Sequence, residues 1–219
     1  GNGSPLTIGE VRQFINRRLM EQGLEASEGI IFAMGRDGGV PHSRGEDDQV
    51  LETGRAIVFD LFPRQIGGGY FHDMTRTFSL GYATPEVEHA YRQVMQAFDA
   101  VVNDLSAGER GEHYQELTCD IFEEQGHPTI RSKPGTTDGY IHNLGHGLGL
   151  EIHSRPRLAM ASDEVLEPGQ VFTVEPGLYY PEKGFGIRVE DTYVVEADGT
   201  FTSLTPYPKD LVIPIQDAE

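Results

Sequence analysis

The fold is decided by the stretch Ala56-Ile57-Val58-Phe59-Asp60-Leu61-Phe62 and by a second one, Tyr70-Phe71-His72-Asp73-Met74-Thr75-Arg76-Thr77. Three glycines, residues 67–69, separate them. Two β-rich runs around a glycine break are typical of a hairpin. Pairing of the two runs can place the Asp60 and Asp73 carboxylates on one face, where like charges are unfavourable unless a cation lies between them. The ordinary alternative for each aspartate is to cap a turn or to pair with Arg64 or Arg76.

Further elements are predicted on both sides of this hairpin. We expect helices over residues 7–22, 84–105 and 111–125, and strands over residues 29–34, 171–174 and 185–195. The first helix begins with a capping box of Thr7 and Glu10, and its apolar stripe consists of Val11, Phe14, Ile15 and Leu19. Residues 35–48 form a polar loop, and residues 205–214 are predicted to be extended. Because helices and strands do not alternate as βαβ units, the pattern indicates an α+β fold with antiparallel pairing.

Composition limits the kinds of partner. The chain has 219 residues, 37% of them hydrophobic, and a formal net charge of −18, so one domain with a sizeable core is expected. An acidic surface repels nucleic acid and anionic membranes, which argues against both as partners. The single Cys119 cannot form an intramolecular disulfide and is predicted to be a packed helix residue, which favours the cytoplasm. Residues 1–6 are expected to be a flexible end.

Three more segments carry polar groups beside apolar or glycine-rich sequence. In residues 145–153, glycines let the backbone pass close to a crowded site, and His146 and His153 are predicted to face one pocket. Glu175 ends an apolar strand just before a turn. Arg188 and Glu190 share one face of a predicted strand. Each residue alone is more often structural, and His142 has only that interpretation.

The combination is more specific than any single residue. Four carboxylates and one imidazole, on separate segments, form a ligand set that suits divalent manganese, cobalt, zinc or iron. Two ions with shared carboxylates would offset the acidic repulsion and activate water. The predicted metal ligands are Asp60, Asp73, His146, Glu175 and Glu190.

These segments, in this order, resemble the catalytic domain of the pita-bread metallopeptidases, in which an antiparallel curved sheet is flanked by helices. The resemblance covers nearly the whole chain, and we expect one catalytic domain over residues 7–214. Asp73 with Thr75, Arg76 and Thr77, together with Arg188 and Glu190, is similar to the Xaa-Pro aminopeptidase and prolidase branch. The resemblance implies a metallo-exopeptidase that cleaves Xaa-Pro bonds in small peptides with two metal ions, manganese being favoured.

The resemblance also implies a role for each residue. Asp60 would bind one ion and His146 the other, while Asp73 and Glu190 would bridge them. Glu175 would bind metal and act as general base. His153 would donate a hydrogen bond to the substrate carbonyl, and His42 would assist beside the scissile bond. Arg188 would orient the substrate or hold its C-terminal carboxylate.

Several points stay open at the level of sequence. A homodimer is expected by resemblance alone, and the N-terminal creatinase-type domain of the Xaa-Pro peptidases is expected to be absent. Aminopeptidase P and prolidase specificity are not distinguished. The alternatives are an activity like that of methionine aminopeptidase, or a catalytically silent peptide-binding module of the same fold.

Overall fold

A computed structural model describes residues 5–215, and the predicted flexible end therefore lies mostly outside the described residues. The helices are α1 (Ile8–Glu21), α2 (Pro85–Asp104) and α3 (Gly111–Glu124). The strands, numbered β1 to β13 in chain order, are Leu24–Glu25, Ile31–Met34, Ala56–Leu61, Arg64–Gln65, Met74–Leu80, Gly145–Gly147, Ser154–Leu158, Val171–Val174, Gly177–Tyr180, Phe185–Arg188, Asp191–Val195, Phe201–Ser203 and Val212–Ile213.

The hairpin that the sequence predicts forms the centre of a four-stranded sheet. The strand order is β13-β5-β3-β2, and β3 pairs with β5 antiparallel so that Asp60 lies opposite Thr75. Asp73 immediately precedes β5. The edge strand β13 is parallel to β5.

A five-stranded sheet positions two further predicted metal ligands. Its order is β12-β11-β8-β6-β7, with antiparallel neighbours throughout. Strand β6 carries His146, and Glu175 follows the end of β8. A separate hairpin of β9 and β10 carries Arg188. These mainly antiparallel sheets with helices against them confirm the predicted α+β class.

Residues 188–190 join the two sheets. The backbone amide of Arg188 donates to Thr77 Oγ1 at 2.9 Å, and the amide of Glu190 donates to the Thr75 carbonyl at 3.0 Å, so this segment lies along β5. The chain then enters β11 of the five-stranded sheet at Asp191. Both sheets therefore meet at Glu190.

The helices cover the sheets with apolar faces. Helices α2 and α3 pack Val94, Val101 and Phe122 into the main core, together with Leu144 and Phe172 of the second half. Cys119 is buried on α3, as predicted.

Helix α1 packs on the first sheet. Its predicted capping box forms: Thr7 Oγ1 accepts from the amide of Glu10, and the Glu10 carboxylate accepts from the amide of Thr7. Ile8 packs with Phe32 and Ile57 of the sheet beneath it. Phe14 differs from the prediction, because 53% of its surface is exposed.

Two further predictions about strands were wrong. Residues 185–195 do not form one strand, because the chain leaves β10 after Arg188 and crosses to another sheet before β11 begins at Asp191. Residues 70–73 lie before β5 and are not part of it. Strands β7 and β9 were not predicted, since Pro156 and Gly177 interrupt their β-rich pattern.

Candidate metal centre

The five predicted ligands line one cavity. Its volume is about 610 Å³, and its walls include Asp60, Asp73, His146, Glu175 and Glu190. One ligand atom from each of Asp73, His146 and Glu190 lies within 4.8 Å of the others. His146 Nε2 lies 3.4 Å from Glu175 Oε1 and 3.7 Å from Asp73 Oδ2. Residues far apart in the sequence thus converge on one point.

Some oxygen atoms of this cluster lack a partner. Oδ1 of Asp60 and Oδ1 of Asp73 are buried and have no hydrogen-bond partner within residues 5–215. A buried carboxylate oxygen without a donor is costly, whereas a divalent cation satisfies such an oxygen directly. The donor set therefore fits a metal ion.

Burial and the crowding of negative charge raise the pKa values of three carboxyl groups. Burial, followed by the charges of Glu190, Asp60 and Glu175, raises the pKa of Asp73 well above its ordinary value. Burial and the charges of Glu175 and Asp60 do the same to the pKa of Glu190. Burial also raises the pKa of Glu175 to about 8, against the opposing effect of Arg188. A cation among these groups would reverse the shifts, since it favours their ionised forms.

His146 has the form that a metal ligand requires. Burial lowers its pKa to about 4, so the ring is neutral at neutral pH. Nδ1 lies 3.1 Å from the Gly147 carbonyl, which can only accept, so Nδ1 carries the hydrogen. The lone pair of Nε2 then points toward the carboxylates of Asp73 and Glu175. Lone pairs facing one another in this way are stabilised by a cation between them.

Close contacts with neighbouring strands explain why glycine lies on either side of His146. A Cβ atom on Gly145 would lie 2.0 Å from the Thr173 carbonyl oxygen. A Cβ atom on Gly147 would lie 1.9 Å from the Arg155 carbonyl oxygen. Strand β6 is pressed between its two neighbours, as the glycine-rich pattern indicates, and only glycine fits at both positions.

Arg188 is committed to protein acceptors. Its Nη2 donates to Asp60 Oδ2 at 2.6 Å, and its Nε donates to Thr75 Oγ1 at 3.1 Å. Its Nη1 donates to the Pro41 carbonyl and to the hydroxyl of Tyr179. Four of the five guanidinium N–H groups are thus engaged. Thr75 Oγ1 in turn donates to Glu190 Oε2 at 2.6 Å, which connects Arg188 to a second predicted ligand.

The other predicted histidines line the same cavity. The rings of His153 and His146 meet edge to face, with centroids 4.4 Å apart. Burial, followed by the charges of Arg188 and His153, lowers the pKa of His42. Both rings are therefore in reach of a ligand that enters the cavity.

The sequence interpretation missed three residues at this site. His142, assigned a structural role, lines the cavity, and its Nε2 lies 3.0 Å from the hydroxyl of Tyr179. That hydroxyl also accepts from Arg188 at 2.8 Å. Arg157 lines the cavity too and makes no ion pair with any residue in the range 5–215. Tyr179 lies on β9 and Arg157 on β7, two strands that were not predicted from the sequence. His142 could have been assigned to the site, because it lies four residues before His146.

The sequence matches the profile of metallopeptidase family M24 over residues 5–197. The putative dipeptidase YkvY of Bacillus subtilis is 38% identical over 88% of this chain and 48% of its own length. The fold is similar to that of the Xaa-Pro dipeptidase from Bacillus anthracis, with a TM-score of 0.82, 34% identity and coverage of 95% of this chain and 56% of that one. It is also similar to the X-Pro aminopeptidase from Thermotoga maritima, with a TM-score of 0.79, 30% identity and coverage of 95% and 56%. This chain thus spans about half the length of the proteins that it matches.

Among the described residues, none of the helices combines the length and the apolar character that crossing a membrane requires.

Proposed function

The chain belongs to metallopeptidase family M24, and from that premise we propose that it is a metallo-exopeptidase that hydrolyses Xaa-Pro bonds in small peptides. The observation that carries the proposal is the convergence of buried acidic groups on His146 in one cavity, where two of these groups have oxygens without a hydrogen-bond partner among the described residues. Such a cluster is unfavourable by itself and becomes favourable around divalent cations.

Asp60, Asp73, His146, Glu175 and Glu190 would hold two divalent ions. Bound ions of this kind supply Lewis-acid stabilisation for the negative charge that develops on a peptide carbonyl. Manganese is our preferred ion among manganese, cobalt, zinc and iron, since oxygen ligands predominate.

The remaining groups of the cavity fit the hydrolytic step. A carboxylate oxygen of Glu175 would take a proton from the attacking water and pass it to the departing amine nitrogen as the C–N bond breaks. An N–H of His153 would donate to the substrate oxygen, and His42 would assist at the same bond. Water adds one hydroxyl to the carbonyl carbon and one proton to the amine, so the reaction is balanced.

Arg157 suits a substrate carboxylate better than Arg188 does. The expected role of Arg188 in holding that carboxylate requires free donors, and within the described part of the chain only one of its N–H groups lacks an acceptor. Arg157 lies opposite His146 in the antiparallel β6–β7 pair, where directly opposed side chains share a face of the sheet. We assign the C-terminal carboxylate of a dipeptide to Arg157, and to Arg188 the task of positioning Asp60.

The apolar side of the cavity is consistent with a proline ring. Ile31, Phe62 and Ile152 line it together with Pro41. A small, rigid, apolar ring is the kind of group that such a wall accommodates. A homodimer and one catalytic domain over residues 7–214 remain predictions from the family resemblance, and a cytoplasmic location remains a prediction from the single cysteine.

The function is tested with purified protein, metal analysis and two peptide classes, Xaa-Pro dipeptides and Met-Ala peptides. We expect Mn²⁺-dependent cleavage of Xaa-Pro dipeptides, loss of cleavage on chelation, and its return when Mn²⁺ is added back. Comparable cleavage of Met-Ala peptides would favour an activity like that of methionine aminopeptidase. Full activity of the Glu175→Ala variant, or metal binding without turnover of any peptide, would contradict the proposal.

A further inference from the structure

Behind the metal centre lies a buried arginine that no proposed catalytic step uses. Arg76 is 1% exposed, does not line the cavity, and follows Thr75 on β5. Because successive side chains of a strand point to opposite faces, Thr75 faces the carboxylate of Glu190 while Arg76 points away from it.

The Arg76 guanidinium holds the backbone that carries Glu190. Its Nη1 donates to the Glu190 carbonyl at 2.6 Å and to the Thr75 carbonyl at 2.9 Å. The Thr75 carbonyl also accepts from the amide of Glu190, at 3.0 Å. Glu190 is therefore fixed at both ends, with Thr75 on its carboxylate and Arg76 on its main chain.

The other acceptors of Arg76 belong mainly to residues 205–213, which we call the C-terminal strap. Nε donates to the Pro208 carbonyl, and Nη2 donates to the carbonyls of Tyr207 and Thr205. The end of the strap runs beside β5, where the amide of Ser79 donates to the Leu211 carbonyl at 2.7 Å. The family profile ends at residue 197, so the strap lies beyond the matched region.

Asp191 connects the strap to the same arginine. Its Oδ1 lies 2.7 Å from Nη2 of Arg76 and accepts from the Thr205 hydroxyl at 3.0 Å. Its Oδ2 accepts from Lys209 Nζ at 2.5 Å. Both Arg76 and Asp191 are buried, so each depends on the strap to satisfy the rest of its hydrogen-bonding groups.

We propose that Arg76 is a positioning residue that couples docking of the C-terminal strap to the placement of Glu190, and thereby sets the affinity of the metal centre. The inference rests on the proposed function, because Glu190 must be a metal ligand for the coupling to matter. Groups outside the ligand set that orient metal ligands change metal affinity by about 10–100-fold when they are altered.

The test is calorimetric titration of chelator-treated protein with Mn²⁺. Arg76→Lys keeps the charge but cannot reproduce the guanidinium contacts, and we expect it to weaken Mn²⁺ binding by about 10–100-fold. Lys209→Met removes the ammonium group from Asp191 at a less buried position, and we expect about a tenfold loss from it, the lower end of that range.

Two controls separate positioning from general destabilisation. Lys209 Nζ lies over the ring of Phe98 as well as beside Asp191. Lys183→Met likewise removes an ammonium group from a carboxylate, Glu86, and a ring, Tyr180, away from the strap. Val101→Ala opens the main core at a residue of α2 that takes no part in the hydrogen bonds between Arg76, Asp191 and Glu190. Both controls should keep the Mn²⁺ affinity of the wild type, even where the melting temperature falls as far as it does in Arg76→Lys.

The outcomes distinguish this inference from the proposed function. Wild-type affinity in folded Lys209→Met and Arg76→Lys would overturn the coupling and leave the metal centre intact. An equal loss in Val101→Ala would also overturn it, since stability alone would then explain the effect. A wild-type protein that binds no Mn²⁺ would overturn the proposed function and the coupling together.

Discussion

Nη2 of Arg188 lies 2.6 Å from Oδ2 of Asp60, although the two residues are 128 positions apart in the sequence. The contact leaves the other carboxylate oxygen, Oδ1, without a hydrogen-bond partner among residues 5–215. Arg188 thus fixes one side of Asp60 and leaves its other side for a cation. The same guanidinium reaches Glu190 through Thr75, so it orients two of the predicted ligands.

Replacement of Arg188 by lysine should therefore weaken metal binding. An ammonium group cannot donate in the fixed fork geometry that reaches Asp60, Thr75 and Tyr179 together. We expect a loss of Mn²⁺ affinity of about 10–100-fold, measured by titration of chelator-treated protein. Arg36→Lys, at an exposed pair with Glu182, is the matched control and should bind as the wild type does. Unchanged affinity in Arg188→Lys would mean that Asp60 needs no such support.

The proton on Glu175 should make the metal-free protein lose stability as the pH rises above 6.5. Burial raises the pKa of Glu175 from 4.5 to about 8, so the folded chain holds this proton more tightly than the unfolded chain does. Its contribution to stability is fully present below pH 4.5 and is lost as the pH rises through about 8. Below pH 6.5 the lowered pKa of His146 acts in the opposite direction, so thermal melts with chelator should show the fall in melting temperature between pH 6.5 and about 8.

Two comparisons check the source of that pH dependence. Glu175→Gln cannot ionise at this position, so its melting temperature should fall less steeply. Saturating Mn²⁺ should remove or reverse the slope in the wild type, because metal binding requires ionised carboxylates. A melting temperature that rises between pH 6.5 and about 8 in the metal-free protein would contradict the assigned direction of the shift.

His153→Ala should lower the rate of turnover without loss of the bound metal ions. His153 lies against the ring of His146, and its proposed task is to donate to the substrate oxygen. Loss of one such donor lowers kcat by about 10²–10³-fold in other hydrolases. His113→Ala, at an exposed pair with Asp104, serves as the control. A His153→Ala enzyme with wild-type kcat would exclude the residue from the reaction.

Arg157→Met should affect dipeptides with a free carboxylate selectively. Loss of a hydrogen bond to a charged group costs about 1.5–3 kcal/mol, which corresponds to a fall of about 10–100-fold in kcat/KM. Dipeptide amides should be cleaved as before. Arg155→Met is the matched control, since Arg155 lies on the same strand but pairs with Glu164 outside the cavity. An equal loss with amides would remove carboxylate recognition from Arg157.

Gly147→Ala should destabilise the fold, whereas Gly149→Ala should be tolerated. The added methyl group at Gly147 would meet the Arg155 carbonyl oxygen at 1.9 Å, while the one at Gly149 would meet no atom of residues 5–215 within 4 Å. Overpacking of this kind costs about 1–3 kcal/mol or more. Denaturant unfolding of both variants measures the difference, and equal stabilities would show that β6 can shift away from its neighbour.

Local sequence patterns were sufficient for the parts of the fold that depend on neighbours in the chain. The capping box at Thr7, the apolar strand around Asp60 and the start of α2 beside Thr84 all form as predicted. The clustering of the acidic groups could also be predicted, because a buried Asp60 or Asp73 requires compensation wherever the chain places it.

Local sequence patterns could not predict the contacts between strands that are distant in the chain. Residues 185–195 alternate as one strand would, yet the chain changes sheets at Glu190, because Arg76 and Thr75 bind that residue from another sheet. Arg188 was predicted to face the substrate. Its hydrogen bonds to Asp60 and Tyr179 could not be predicted from its flanking residues. Periodicity identifies the buried face of an element and leaves its partner undetermined.

The most direct test of the account is the number of Mn²⁺ ions that the chelator-treated protein binds per chain, followed by the hydrolysis of an Xaa-Pro dipeptide. The account predicts two ions per chain, hydrolysis that requires them, and loss of both properties in the double variant of Asp73→Asn and Glu190→Gln. Hydrolysis by a chain that binds no ion, or full Mn²⁺ binding by the double variant, would contradict it.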